Sequence, residues 1–363
     1  MTELLPFLDL RSDACSLPTK EMRQAMMDAG CGNDDFSEDP TINELEQRAA
    51  ALLGKEDAVF VQSGTMANLI AVMTRVQPKQ SLLISRHFHI FDYEASAMRR
   101  IAQCEFQFVE DQTIGCQSEL LLDSLANSDQ FDIPLLCLEN TINRLGGTLL
   151  NLNQLQRIGD WASLHRMQIH LDGARLLNAA TALGVEPSRL AAYADTVMMV
   201  FTKALSAPAG AILAGTSELV VQARRIRWML GGAWKQGGVV AAACLVGLQT
   251  QRDRVIDDHA TAKQLAMGLN EIEGLSVDLS RVATNIVFLK VDNSEIDLTR
   301  FAAYLESKGA RIGRFKEDRR SRLVTHRNVS LTDIAKFLVW VREAIPQSLG
   351  NKIHHNIPTT SQL

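Results

Sequence analysis

The chain has 363 residues, of which 46% are hydrophobic and 22% charged, and carries a formal net charge of −5. That is the make-up of a globular protein with room for about two or three domain-sized units, not of a disordered or fibrous one. Charges of both signs are interspersed, so no basic surface for nucleic acid or membrane is expected, and no apolar run approaches the roughly 18 residues that span a bilayer.

Residues 1–10 carry acids where a signal peptide has a basic stretch, so the cytoplasm is the expected compartment. The six cysteines are scattered with no C-x-x-C pair, which predicts neither a metal site nor a disulfide framework. In chain order, apolar runs predict strands at Ala58–Gln62, Leu82–Ser85, Phe106–Glu110, Pro134–Glu139, Gln168–Asp172, Thr196–Phe201 and Ala211–Ala214. Helical patterns lie between them at Thr65–Thr74, Ser118–Ala126, Leu152–Leu164 and Arg175–Leu183. This alternation predicts an α/β fold with a large, mostly parallel sheet covered on both faces.

Beyond Gly238 a long apolar helix is expected at Val239–Leu248, followed by a more charged one. Then come a strand at Asn285–Val291, a helix at Leu298–Ser307, a short strand at Arg322–Thr325 and a final helix at Leu331–Ile345. Ser330 and Asp333 have the spacing of a capping box for that helix. The reading divides the chain into a large domain (residues 1–245), a smaller α+β domain (246–346) and a polar tail (347–363).

Three segments carry chemistry. Lys203 follows the apolar run Val200-Phe201, where a charged amine loses hydration. It is either a lysine that snorkels to the surface or a Schiff-base lysine, whose pKa burial lowers. Asp172 ends another apolar run in Leu171-Asp172-Gly173-Ala174-Arg175. Such an aspartate caps the following helix, or serves as the anionic partner of a pyridine nitrogen where ligands bind in open sheets. Ser63-Gly64-Thr65 opens a helix after a strand, which suits either a plain turn or a phosphate site.

With these segments in this order, the chain resembles the threonine aldolases and related β-eliminating lyases, in the aspartate-aminotransferase-like superfamily of pyridoxal-phosphate (PLP) enzymes. The matching stretches run on from Ser63-Gly64-Thr65 through Met66-Ala67-Asn68 and also include Asp9-Leu10-Arg11-Ser12-Asp13, Glu38-Asp39-Pro40-Thr41, His89-Ile90-Phe91-Asp92-Tyr93-Glu94-Ala95, Glu139-Asn140-Thr141 and Arg322-Leu323-Val324-Thr325-His326. The resemblance implies PLP as cofactor, held by Lys203, Asp172, Gly64, Thr65, His89 and Lys235, with Lys203 and His89 catalytic. It implies Ser12, Arg175 and Arg322 on the substrate carboxylate, and a homodimer or homotetramer with sites at the subunit interface. The implied reaction is retro-aldol cleavage of an L-β-hydroxy-α-amino acid to glycine and an aldehyde. β-Elimination, racemisation or PLP binding with little catalysis stay open as alternatives.

The chain departs from the family at a few positions. Ile142 stands where the family has the histidine of Glu-Asn-Thr-His-Asn, Phe36 where a tyrosine is common, Trp228 in place of a lysine and Lys235 in place of a phosphate-side arginine. Three of these changes remove a polar or charged group, which predicts a pocket that prefers a bulkier or more apolar β-substituent than methyl. With the histidine replaced by Ile142, His89 or a water is left as the base.

Overall fold

Strands that are apolar on both faces can be buried only between two layers of helices, and that demand organises this molecule. The computed structural model describes residues 7–109 and 133–349. Its large sheet holds β1 (Asp57–Val61), β2 (Ser81–Ile84), β3 (Glu105–Phe108), β4 (Leu135–Glu139), β5 (Gln168–Asp172), β6 (Thr196–Val200) and β7 (Ala211–Gly215). Their spatial order is β1-β7-β6-β5-β4-β2-β3. Adjacent strands are parallel except at β7, which runs antiparallel to both its neighbours.

The principal helices are α1 (Lys20–Met27), α2 (Pro40–Leu53), α3 (Gly64–Met73), α4 (Leu152–Leu164), α5 (Leu176–Leu183), α6 (Ser217–Met229), α7 (Gly238–Thr250), α8 (Val255–Asn270), α9 (Leu298–Ser307) and α10 (Leu331–Ser348). Successive strand residues point to opposite faces, and the core divides accordingly. Val59, Val61, Met198, Val200 and Leu213 pack with Ile70 of α3 and Val220 of α6. Phe60, Val197, Met199 and Ile212 face the other way, toward Leu45 of α2, Ile158 of α4 and Leu176 of α5.

A second core gathers Leu265 of α8, Phe301 of α9 and Phe337 of α10. They cover an antiparallel sheet of β8 (Leu275–Ser276), β9 (Ile286–Val291) and β10 (Arg320–Val324), ordered β10-β9-β8. The N-terminal segment is tied to this part: Leu8–Asp9 pairs with Ala310–Arg311, and Leu10 O accepts the Val324 N–H at 2.8 Å. Residues 11–13 are thereby delivered to the boundary between the two cores.

Most predicted elements recur with ends displaced by one or two residues, and β5, α4 and α9 coincide with their predictions. The predicted helix Ser118–Ala126 lies outside the described residues. The final helix runs on past the expected end at Ile345, although Pro346 interrupts its bonding. Buried Ser348 holds the extra turn, its hydroxyl donating to Ala344 O at 2.6 Å and its carbonyl accepting the Asp297 N–H at 2.8 Å. The expected capping box at Ser330 and Asp333 is present. No helix among the described residues is long and apolar enough to cross a membrane.

Candidate active site

Parallel strands end on one edge of a sheet, and the cleft lies along that edge. Glu139 closes β4, Asp172 closes β5, and the two are register partners with buried side chains. Asp172 Oδ1 accepts the Ala174 N–H at 3.0 Å, and Oδ2 accepts from Asn68 Nδ2 at 2.9 Å. The same Nδ2 donates to Glu94 Oε1 at 3.1 Å, so Asn68 Oδ1 remains as the acceptor for His170 Nε2, 3.0 Å away. This assigns the His170 proton to Nε2 and leaves Nδ1 to accept from the Thr196 hydroxyl at 2.9 Å. Donors thus run in one direction, from Thr196 through His170 and Asn68 to Asp172. Burial keeps His170 neutral, with its pKa pushed down to about 4. Glu139 accepts the N–H groups of Asn143 at 2.8 Å and His89 at 2.5 Å. Burial and the adjacent Asp172 push its pKa up to about 7.

Lys203 stands three residues past the end of β6, on a loop closed by Ala207 N–H to Phe201 O at 2.9 Å and Phe201 N–H to Gly210 O at 3.0 Å. Gly210 has φ +105°, and a Cβ there would lie 2.5 Å from the Phe60 ring, so glycine alone fits. The lysine is half-buried and lines the cleft. Burial and then the Arg175 cation lower its pKa to about 8, against the pull of Asp13, Asp172 and Glu139. His89 sets its Nδ1 2.6 Å from Glu94 Oε1 and stacks on Tyr93 with ring centroids 4.7 Å apart. Burial opposes its charge, but Glu94 and the Asp172 carboxylate prevail and raise its pKa.

Opposite these groups, Arg175 is fully enclosed. Its Nε and Nη2 donate to the two oxygens of Asp13 at 2.7 and 2.8 Å, and its Nη1 to Asn143 Oδ1 at 3.1 Å. Burial works to raise the Asp13 pKa, yet the Arg175 charge and bonds hold it below the usual carboxylate range. Arg322 Nη1 donates to the same Asn143 oxygen at 2.5 Å. Ser12, Gly64, Thr65, His89, Asp172, Arg175, Lys203 and Arg322 all line a single cavity of about 320 Å³.

The profile of the beta-eliminating lyases matches residues 9–294. Low-specificity L-threonine aldolase 1 of Arabidopsis thaliana is 35% identical over 345 residues, spanning 93% of this chain and 96% of that protein. The low specificity L-threonine aldolase of Escherichia coli K12 is 32% identical over 335 residues, 91% of this chain and 96% of its own length. The chain belongs to the beta-eliminating lyase family. Within it, this protein is a lyase of the threonine-aldolase type. Its fold is also that of a solved threonine aldolase from Leishmania major, with a TM-score of 0.76 at 18% identity, covering 93% of this chain and 99% of that one. A serine palmitoyltransferase from S. paucimobilis, solved with a bound PLP–myriocin aldimine, matches with a TM-score of 0.72 at 16% identity, covering 93% and 87%.

The positions expected to depart from the family fall outside this cavity. Ile142 is buried in the main core, and its backbone bridges to Thr148. Phe36 and Trp228 are 71% and 68% exposed. Lys235, expected on the phosphate, pairs with Asp35 on that exposed face and does not line the cavity. The residues behind the expectation of a bulkier β-substituent therefore do not line this chain's own cleft. Conversely, sequence reasoning gave no role to Asp13, Asn68, Glu94, Asn143 or His170. Asp13, Asn68 and Glu94 lie inside matching stretches, the one signal that pointed to them.

Proposed function

We propose that the cleft holds pyridoxal phosphate and breaks the Cα–Cβ bond of an L-β-hydroxy-α-amino acid of the threonine class, releasing glycine and an aldehyde. The reading rests on one observation. The Lys203 amine, lowered to about pKa 8, shares a cavity with a strand-end carboxylate, a helix start and two guanidiniums.

The donor set fits this cofactor. An aldehyde requires a neutral amine, a pyridine nitrogen an anion, and a phosphate backbone donors at a helix start; Lys203, Asp172 and Gly64 with Thr65 supply them. At that start, Ser63 Oγ takes the Met66 N–H at 3.2 Å, which leaves the amides of Gly64 and Thr65 for an anion. A Cβ on Gly64 would lie 2.8 Å from Val200 Cγ1, so the backbone there lies close on the sheet. When bound, PLP supplies the electron sink for the pair left at Cα.

The chain's own residues do the rest. Asp172, aimed by Asn68, would supply the anion for the ring nitrogen, and His89, on the same cavity wall, would supply a ring to stack on the cofactor. Arg175, Arg322 and Ser12 hold the substrate carboxylate, which fixes rotation about the Cα–N bond so that Cα–Cβ is the bond in line for cleavage. The β-hydroxyl proton passes to His89, directly or through a water. Lys203, near its pKa at neutral pH, holds and returns a proton beside Cα. Phe36 and Trp228 are exposed apolar side chains that neighbour in sequence the pairs Asp35–Lys235 and Asp34–Arg227. Exposed apolar groups of this kind support a homo-oligomer in which Lys235 serves the partner's cleft.

Product analysis of the PLP-loaded protein with L-threonine, L-allo-threonine and phenylserine tests the reading. Glycine and the matching aldehyde are expected, with turnover lowered by about 10²–10⁴-fold or more in Lys203→Ala. A 2-oxo acid and ammonia as the products would contradict it.

A further inference from the structure

Arg175 and Arg322 converge on one uncharged oxygen, Asn143 Oδ1, at 3.1 and 2.5 Å. Two neighbouring guanidiniums repel, and burial with the Arg175 charge lowers the Arg322 pKa. Arg175 is balanced by Asp13. The hydrogen bonds of Arg322 among the described residues go to Asn143 Oδ1 and Arg11 O, which carry no charge. Within the group of Arg175, Arg322 and Asp13, two cations and one buried anion leave about one positive charge, enough for one carboxylate.

Asn143 itself is fixed from another side. Its N–H donates to Glu139 Oε1 at 2.8 Å, and it leads a turn in which Gly147 N–H reaches Ile142 O at 2.9 Å. Its side chain therefore meets the guanidiniums from a position the arginines do not set.

We propose that Asn143 is a positioning residue: its neutral oxygen clamps the two guanidiniums at a set spacing while leaving their surplus charge for the substrate carboxylate. The inference rests on the reading of Arg175 and Arg322 as the carboxylate holders. An aspartate has the same shape and would accept both bonds more strongly, yet it would cancel the charge the substrate needs. Alanine would remove the acceptor and let the cations separate. Folding and binding should therefore respond to Asn143→Asp in opposite directions, whereas a residue of purely structural value moves them together.

The test compares PLP-loaded wild type, Asn143→Asp and Asn143→Ala by calorimetric titration with glycine and by KM and kcat for L-threonine, alongside Tm of the cofactor-free proteins. Asn143→Asp is expected to match or exceed the wild-type Tm while its glycine Kd and threonine KM rise about tenfold or more, with kcat changed far less. Asn143→Ala is expected to lose Tm and to weaken glycine binding less than the aspartate does. Wild-type glycine affinity in Asn143→Asp, weaker binding in the alanine than in the aspartate, or an aspartate protein less stable than wild type would each overturn the proposal. A wild type that binds no glycine would overturn the carboxylate reading of the arginines, and this inference with it.

Discussion

Lys203, Asp172 and Glu139 stand beside one another at the ends of neighbouring strands, whereas Phe36, Trp228 and Lys235 are exposed, in segments joined by the Asp34–Arg227 and Asp35–Lys235 pairs. In the first region each anion is tied down: Asp172 and Glu139 by two bonds each, and Asp13 by Arg175 and by Asn285 Nδ2 at 3.2 Å. In the second, the large apolar side chains lie open to solvent. The positions expected to depart from the family lie in the second region and at buried Ile142, and none of them lines the cavity. The chemistry at the strand ends is thus insulated from those changes, and substitutions on the outer face act through whatever covers it.

The harshest way to break this contrast is Asp13→Asn. Removing one partner of a buried pair leaves a charge uncompensated, so a stability loss of about 3–5 kcal/mol is expected, together with a higher KM for L-threonine as Arg175 loses its aim. The pH dependence follows from sign. Asp13 titrates lower in the folded protein than in the unfolded chain, so its stabilisation is present above about pH 4 and fades as pH falls further. Chemical denaturation between pH 3 and 7 should show a shallower acid-side loss in the Asp13→Asn variant than in wild type. An equal slope would remove Asp13 from the anchored region.

A gentler probe sharpens the other side. Phe36→Ser and Trp228→Ser should leave the fold of the isolated chain within about 0.5 kcal/mol while shifting sedimentation toward smaller species. A variant whose sedimentation matches wild type would mean that copies do not meet on this face, and the contrast would fail.

The sheet was legible because burial on both faces writes continuous apolar runs, and Asp172 and Lys203 were legible because they interrupt such runs at their ends. The partners were not. Asn68 is 104 residues from Asp172 and Asp13 is 162 from Arg175, and periodicity describes neighbours along the chain, not side chains brought together by a crossover. Asn143 stood next to the conspicuous Ile142, yet its meaning depends on two arginines from different elements. Lys235 shows the converse: its motif pointed to a phosphate, and only the folded chain reveals that it faces outward, paired with Asp35.

Lys203 is the centre of the account, and its most direct test is cofactor loading followed across pH. The neutral amine is the reactive form, and burial with the Arg175 charge lowers its pKa to about 8. The rate at which cofactor-free protein takes up PLP should therefore rise with pH and level off above about pH 9, whereas an ordinary lysine, with its pKa near 10.4, would keep rising. Borohydride reduction of the loaded protein should then fix the cofactor to the peptide that contains Lys203. Attachment to another lysine, or no attachment in PLP-saturated wild type, would contradict the account.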